Sequence, residues 1–291
     1  MSDVGERCVG CGGAAADSLF NKNGYDIVRC KECSLVYVGN PPTPEQLKEL
    51  YSFESGYHEK VTTRGEAQAG FLSRAADQYA FVKSLGSAKG KVLDVGCSVG
   101  FFLACAQRDG WDVAGVEFSP DTAEYARKQL GDHVFTGVLE AAPFEIGAFD
   151  LITMWDVLEH VRDPMAMLAR AGELLGADGK LVLETPNVDG WFPRASLLVA
   201  KSLDYWPHPE PPGHLFQFSV VTLCSFLQRT GFEILEIRHK RIPIRYSFGE
   251  FSSVFSSLKR LAYFALFAPL AYVGPWFGAG DSMIVVARKK A

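Results

Sequence analysis

Four cysteines stand in two pairs near the start of the chain, Cys8-Val-Gly-Cys11 and Cys30-Lys-Glu-Cys33, with eighteen residues between the pairs. Two CxxC knuckles supply four thiolates, the ligand set of a closed tetrahedral Zn²⁺ site. Gly12 follows the first knuckle, where a tight turn lets backbone N–H groups face sulfur. Four thiolates leave no open coordination position, so a zinc here is structural. The second chemical signal is Val92-Leu-Asp94-Val-Gly96-Cys97-Ser98-Val99-Gly100. An apolar strand runs into a glycine-bearing turn that opens a helix. Glycine allows backbone to approach a ligand closely, and the first helical turn offers N–H groups to an anion. Glu117 comes twenty-one residues after Gly96, at the end of the next apolar run. That is the spacing at which a carboxylate reaches ribose hydroxyls in a dinucleotide-type fold. The pair reads as a nucleoside-cofactor site, against the alternative of a glycine turn kept for packing. His160 and His214 are the general-base candidates, because an imidazole takes a proton from a hydroxyl at neutral pH. Either can equally be a structural histidine.

The elements that position these residues follow from periodicity. The spacing predicts a short helix from Pro44 capped by Thr43, and a longer helix over 66–85. From residue 91 strands and helices alternate. Strands are expected at 91–95, 112–117, 133–136, 149–155, 180–184, 232–238 and 283–288. Helices are expected at 99–109, 120–130 (with Ser119 as cap), 164–175 and 219–230. Such alternation predicts βαβ units on a mostly parallel sheet. The stretch 52–65 is polar and reads as loop. The predicted division is a zinc ribbon over 1–40, a linker with helices over 41–86, and an α/β domain over 87–291. The ribbon, with few large apolar side chains, is expected to be a separate small unit.

The chain has 291 residues, of which 48% are hydrophobic and 22% charged, and its net charge is −5. Global disorder is excluded by these values, and they disfavour a broadly basic nucleic-acid binder while leaving room for a local basic patch. The first eight residues carry no apolar run of the secretory type, and the cysteine spacing is that of a metal site, so the expected compartment is the cytoplasm.

LDVGCSVGFFL at 93–103 and GVEFSP at 115–120 resemble the first two motifs of the class I S-adenosylmethionine-dependent methyltransferases. Residues 149–164, with Asp156, Glu159, His160 and Pro164, resemble the fourth-strand region of the ubiquinone-pathway O-methyltransferases. Gly179–Asn187 and the Gly213-His214-Leu-Phe-Gln217-Phe-Ser219 segment continue the match. The resemblance implies a Rossmann-like sheet with an antiparallel last strand and S-adenosylmethionine as cofactor. By match, Asp94, Gly96 and Gly100 line its methionine end, Glu117 holds the ribose hydroxyls, and the adenine lies against Phe118 and the turn at Leu139. Trp155 and Asp156 face the same crevice; simple core packing is the other reading of Trp155. The resemblance also implies a divalent-metal site, Mg²⁺ or Zn²⁺, at Asp156, Glu159 and His160, which share one face if the segment is helical. Ser98 stands where the family motif has glycine, and is expected to keep a negative φ. Gln217 and Gly213 also depart from the family's pattern, at positions where relatives carry histidine and glutamate.

The segment 238–280 is set apart by charge. Arg238, Lys240, Arg241, Arg245, Lys259 and Arg260 face a single carboxylate, Glu250, and residues 261–280 carry no charge. Twenty uncharged residues have the length of a membrane span. A span is rejected because 283–288 reads as a strand of the same sheet, and because Pro269, Gly274 and Pro275 break the helix. The segment 250–278 is therefore expected to be an apolar hairpin. It either lies on an anionic membrane surface, or serves as a lid or a homodimer interface. The expected activity is methyl transfer to an oxygen or a sugar carbon of a small-molecule or lipid-linked acceptor. The alternative is a zinc-ribbon RNA-binding protein whose methyltransferase domain acts on RNA or is inactive. The acidic charge, and the lack of an Asn/Asp-Pro-Pro-Tyr/Phe motif, make nucleic acid the less favoured partner.

Overall fold

The structure is a computed structural model that describes residues 7–50, 66–86, 88–243, 247–248 and 254–290. The loop expected at 52–65, and Arg245 and Glu250 of the basic segment, lie outside the described residues.

In chain order the elements are β1 (Ala16–Lys22), β2 (Tyr25–Cys30), β3 (Val36–Val38), α1 (Pro44–Leu50), α2 (Glu66–Ser84), β4 (Lys91–Val95), α3 (Phe101–Arg108), β5 (Asp112–Glu117), α4 (Pro120–Leu130), β6 (Val134–Thr136), β7 (Phe149–Trp155), α5 (Pro164–Leu174), β8 (Leu175–Pro186), α6 (Trp191–Leu203), β9 (Phe216–Gln217), α7 (Val220–Arg229), β10 (Phe232–Lys240), α8 (Leu258–Val273) and β11 (Ser282–Lys289). Seven strands form one sheet in the order β10-β11-β8-β7-β4-β5-β6. The five from β4 to β8 are parallel, and β11 is antiparallel to both β8 and β10. Parallel strands covered on both faces must be apolar throughout. Accordingly Val92, Leu93 and Val95 of β4, and Leu151, Ile152 and Met154 of β7, are all buried. The chain runs from β4 outward to β6, then returns to β7 on the other side of β4. The reversal opens a crevice at the carboxyl ends of these strands, which is where open α/β sheets bind ligands.

The second sheet is antiparallel, in the order β1-β2-β3-β9. Its fourth strand comes from far along the chain: Val36 pairs with Gln217, and Tyr37 with Phe216. The ribbon is therefore not a separate unit. Leu35 and Tyr37 share one core with Phe216, Phe218 and Phe226 of the main domain. On its other side Phe20, Ile27, Val36 and Val38 pack with Val188, Ala200 and Trp206. A ribbon with too little apolar surface for its own core thus completes two cores by borrowing from the sheet domain.

Further differences have local causes. Thr43 caps α1 as expected, through a hydrogen bond from the Gln46 N–H, 3.3 Å. Ser219 and Thr222 form a reciprocal capping box on α7. Ser119 makes no side-chain cap on α4; its hydroxyl accepts from Thr122 Oγ1 instead, 3.1 Å. α6 was not expected from periodicity. α8 continues through Pro269 as one helix, and a 3₁₀ turn follows at 274–277, so the apolar segment is no hairpin. A proline removes one backbone donor and strains one turn. Here the packing of Phe267, Ala268 and Ala271 against Phe192 and Phe248 carries the helix past it.

Because ribbon and sheet share a core, they should unfold together. Phe226, buried on α7 and edge-on to Phe218 at 5.4 Å, lies against Gly10 of the first knuckle. Phe226→Ala should lower stability by about 3–5 kcal/mol. Urea unfolding followed by tryptophan fluorescence and by thiol labelling should show one common midpoint. Two separated midpoints would contradict the shared core.

Candidate active site

A cavity of about 560 Å³ lies over the carboxyl ends of β4, β5 and β7. Asp94, Gly96, Glu117, Phe118, Leu139, Trp155, Asp156 and His160 all border it. Gly100 does not. It caps α3 with φ 84°, and a Cβ there would meet Leu130 Cδ1 at 2.6 Å, so its role is to let the turn seat on α4. Gly96 combines both constraints: its φ is 70°, and a Cβ would meet Val157 Cγ2 at 2.7 Å. Ser98 also takes a left-handed conformation, φ 49°, contrary to the expected negative angle. This costs a serine about 1 kcal/mol. The turn enforces it, because the Ser98 N–H must point at Glu117.

Two buried carboxyls define the floor. Glu117 accepts from the Ser98 N–H through Oε2 and from the Ser119 N–H through Oε1, each at 2.9 Å. Burial raises its pKa, while these N–H groups oppose the rise. Each carboxylate oxygen retains a second lone pair, which suits it to accept from a diol. Asp94 accepts from Thr153 Oγ1 at 2.6 Å. Burial pushes its carboxyl up to about 7, with the Thr153 bond pulling down and Glu117 adding to the rise. Trp155 Nε1 is buried with no partner among the described residues. An unpaired donor beside a cavity lined by pinned acceptors fits a polar nucleoside ligand. The apolar walls, Phe71, Phe101, Phe102 and Leu47, suit its flat and sulfur-bearing parts.

The segment 156–160 is a turn and not a helix, so the expected face of Asp156, Glu159 and His160 does not form. Asp156 takes φ 51° and gives its carboxylate to Arg74 of α2. The group whose ligand atoms lie within 4.8 Å of one another is Glu159, His160 and His214. Asp156 is thus no part of it, and the expected metal set is corrected. His160 and His214 meet edge to face at 4.5 Å. Only His160 borders the cavity. Its Nδ1 lies 3.0 Å from the Gly213 carbonyl, which can only accept, so the proton sits on Nδ1 and the lone pair on Nε2. Burial lowers the pKa of His160, partly offset by the charge of Asp156; burial and then His160 lower that of His214. Both rings are therefore neutral at pH 7.

Sequence reasoning missed the roof. Arg74, Phe71 and Gln78 of α2, with Pro44 and Leu47 of α1, close the cavity from above. Arg74 reaches Asp156, and lies 3.8 Å from Glu184, which also accepts from Lys240 at 2.8 Å. Nothing in the spacing of a helix at 66–85 marks one arginine as reaching a strand end eighty residues away.

The four ribbon cysteines converge as expected. Cys8 Sγ lies 3.5 Å from Cys33 Sγ, and Cys11 Sγ 3.5 Å from Cys30 Sγ, with all four sulfurs within 4.8 Å. These are not disulfide distances. Four Zn–S bonds of about 2.3 Å in a tetrahedron would place the sulfurs about 3.8 Å apart. Burial pushes the Cys8 thiol up, and the Cys33 thiol to about 11. Cys30 is also raised by burial, but N–H donors from Cys33 and Glu32 bring it to about 7. Four thiols crowded this way ionise together only around a cation, so the donor set fits Zn²⁺.

Comparison with known proteins supports this geometry. The chain is 30% identical over 156 residues to the ubiquinone biosynthesis O-methyltransferase of Xanthomonas axonopodis pv. citri, which covers 50% of this chain and 64% of that protein. It is 34% identical over 129 residues to the same enzyme of Xanthomonas oryzae pv. oryzae, covering 42% and 53%. The chain thus spans half to two thirds of the length of the curated relatives it matches. Among solved structures, magnesium protoporphyrin IX methyltransferase from Synechocystis PCC 6803, with bound S-adenosylhomocysteine, aligns over 86% of this chain and all of its own with a TM-score of 0.58 at 15% identity. That likeness is one of fold. Residues 66–237 match the family described as a methyltransferase domain, which places all of the cavity floor inside the match. With the glycine turn, the pinned Glu117 and the sheet order all in their places, the chain belongs to this family, the class I S-adenosylmethionine-dependent methyltransferase domains.

Proposed function

We propose that this protein moves a methyl group from S-adenosylmethionine to an oxygen, or a sugar carbon, of a small-molecule or lipid-linked acceptor, and that its ribbon holds one structural Zn²⁺. The observation that carries the first part is the cavity at the strand ends, with His160 on its wall and Glu117 fixed on its floor. Support for an oxygen acceptor comes from the similarity to O-methyltransferases. When bound, the cofactor supplies an electrophilic methyl on a sulfonium. Glu117 accepts from the ribose hydroxyls, Asp94 pairs with the methionine ammonium, and Phe118 and Leu139 flank the adenine. The roof from α1 and α2 excludes water and holds the acceptor in line, which supplies much of the acceleration in a displacement. His160 Nε2 takes the acceptor's proton. His214, outside the cavity, acts by holding the His160 ring in place. The test is transfer of radiolabelled methyl from the cofactor to a lipid extract, a soluble metabolite extract and total RNA. Label in the lipid or soluble fraction supports the reading; label in RNA alone overturns it.

Three outcomes are expected. Glu117→Ala should weaken S-adenosylhomocysteine binding by about 1–3 kcal/mol, since two hydroxyls lose their acceptor; calorimetry reads this directly. Asp94 should make binding pH-dependent. Its carboxyl titrates at about 7, and the neutral form below that pH does not pair with an ammonium, so affinity should fall as pH drops through 7. Asp94→Asn should flatten the profile at the weaker level. Elemental analysis should find one zinc per chain, lost in Cys8→Ser or Cys30→Ser. Because β3 pairs with β9, either substitution should also lower the unfolding midpoint of the whole protein.

A further inference from the structure

After an exposed Lys259 and Arg260 in its first turn, the solvent-facing side of α8 carries no charge. Leu258, Leu261, Ala262, Ala265, Leu266, Pro269 and Tyr272 recur on one side at three- and four-residue steps and are all exposed, as is Trp276 in the 3₁₀ turn that follows. Leu258 and Trp276 are each 82% exposed and Leu266 62%. The opposite side of the helix, Phe267, Ala268 and Ala271, is already buried against Phe192 and Phe248. A surface helix in water turns its polar face outward. Here the outward face is the apolar one, and no charge interrupts it between residues 261 and 280. The turn extends it: Phe277, 67% exposed, stacks on Trp191, itself 38% exposed, at 5.3 Å. An exposed apolar helix face of this length marks an interaction site.

The charges around it choose the occupant. α6, α8 and the turn at 274–277 carry Arg194, Lys201, Lys259 and Arg260 and no carboxylate. Asp189 and Asp204 lie just beyond the two ends of α6. Arg241 sits over the Tyr272 ring at 3.9 Å. A second copy docked on the same face would bring cations against cations, whereas an anionic lipid surface complements them. Aromatic residues Tyr272, Trp276 and Phe277 at one end, and Lys259 and Arg260 at the other, suit a helix lying in the headgroup plane. No described helix is long and apolar enough to cross a membrane. None of residues 254–278 borders the active-site cavity, so the segment is not a lid on it.

We infer that the outer face of α8, with the turn at 274–277, docks this protein in plane on an anionic lipid bilayer. This goes beyond the methyl-transfer reading and stands without it. Apolar burial holds the helix in the headgroup region, and the cations set the preference for anionic lipid.

The test is flotation of the full-length protein with vesicles of phosphatidylcholine and phosphatidylglycerol in equal parts, and with phosphatidylcholine alone, alongside sedimentation equilibrium without lipid. Binding should be strong on the anionic vesicles, weaker on neutral ones, and reduced but not abolished by salt. Lys259→Ala with Arg260→Ala should weaken anionic-vesicle binding roughly thirtyfold. Leu266→Ser should weaken binding to both vesicles roughly tenfold. All three side chains are exposed, and unchanged S-adenosylhomocysteine binding and thermal midpoint verify that the variants fold. Absence of flotation at low salt by folded wild-type protein overturns the inference. So does a dimer that Leu266→Ser dissociates while vesicle binding is absent, which assigns the face to a second copy. Flotation that neither substitution alters also overturns it.

Discussion

One buried carboxylate joins the two loops on which the site depends. Glu117 sits at the end of β5 and takes one N–H from the turn after β4 and another from the start of α4. Burial raises the pKa of this carboxyl, and the two backbone donors oppose the rise by favouring its charged form. The same bonds hold Ser98 at a positive φ that a serine does not choose. Remove the carboxylate and two loop N–H groups lose their acceptor inside the protein. The cavity floor is therefore built around Glu117 by the protein's own hydrogen bonds, and a preorganised site loses less freedom on binding.

A second constraint lies between the ribbon and the segment 204–217. Lys22, at the end of β1, donates to the carbonyls of Trp206 and Pro209 at 3.0 and 2.7 Å. Burial lowers the pKa of its ammonium, and Glu210 opposes the shift. This lysine ties the N-terminal sheet to the segment that delivers His214 to His160. β9, a few residues on, adds its two residues to the ribbon's edge and covers it. An uncovered β3 would leave a row of unpaired N–H and C=O groups. The four-cysteine ribbon and the His160–His214 pair are thus parts of one arrangement, and the ribbon braces the segment that carries His214.

At the far edge of the sheet the same chain handles apolar surface differently. β10 and β11 form an antiparallel pair, and α8 spans the connection between them. Its inner face closes a small aromatic core around Phe192, while its outer face remains uncovered. Packing of that inner face against Phe192 and Phe248 sets the direction in which the outer face points.

The strands of the main sheet, their order of occurrence and the position of the glycine turn were legible from local pattern alone. β4 and β5 have the expected bounds because continuous apolar runs have few alternatives once they are buried on both faces. The ligand types were legible for the same kind of reason: CxxC pairs and an acidic strand end are local statements about chemistry. The rest required distant residues to meet. Asp156, Glu159 and His160 looked like one helical face, but the chain turns there. Asp156 then pairs with Arg74, and His214 takes its place beside Glu159 and His160. Pro269 looked like a helix break, yet aromatic packing outweighs the one hydrogen bond it removes. The ribbon looked separate, because nothing in residues 1–40 announces that its missing strand lies at 216–217. Local sequence determined which segments form elements and which side chains carry chemistry. Tertiary structure decided which of them share a site, because a hydrogen bond between residues 180 positions apart leaves no periodic trace in either segment.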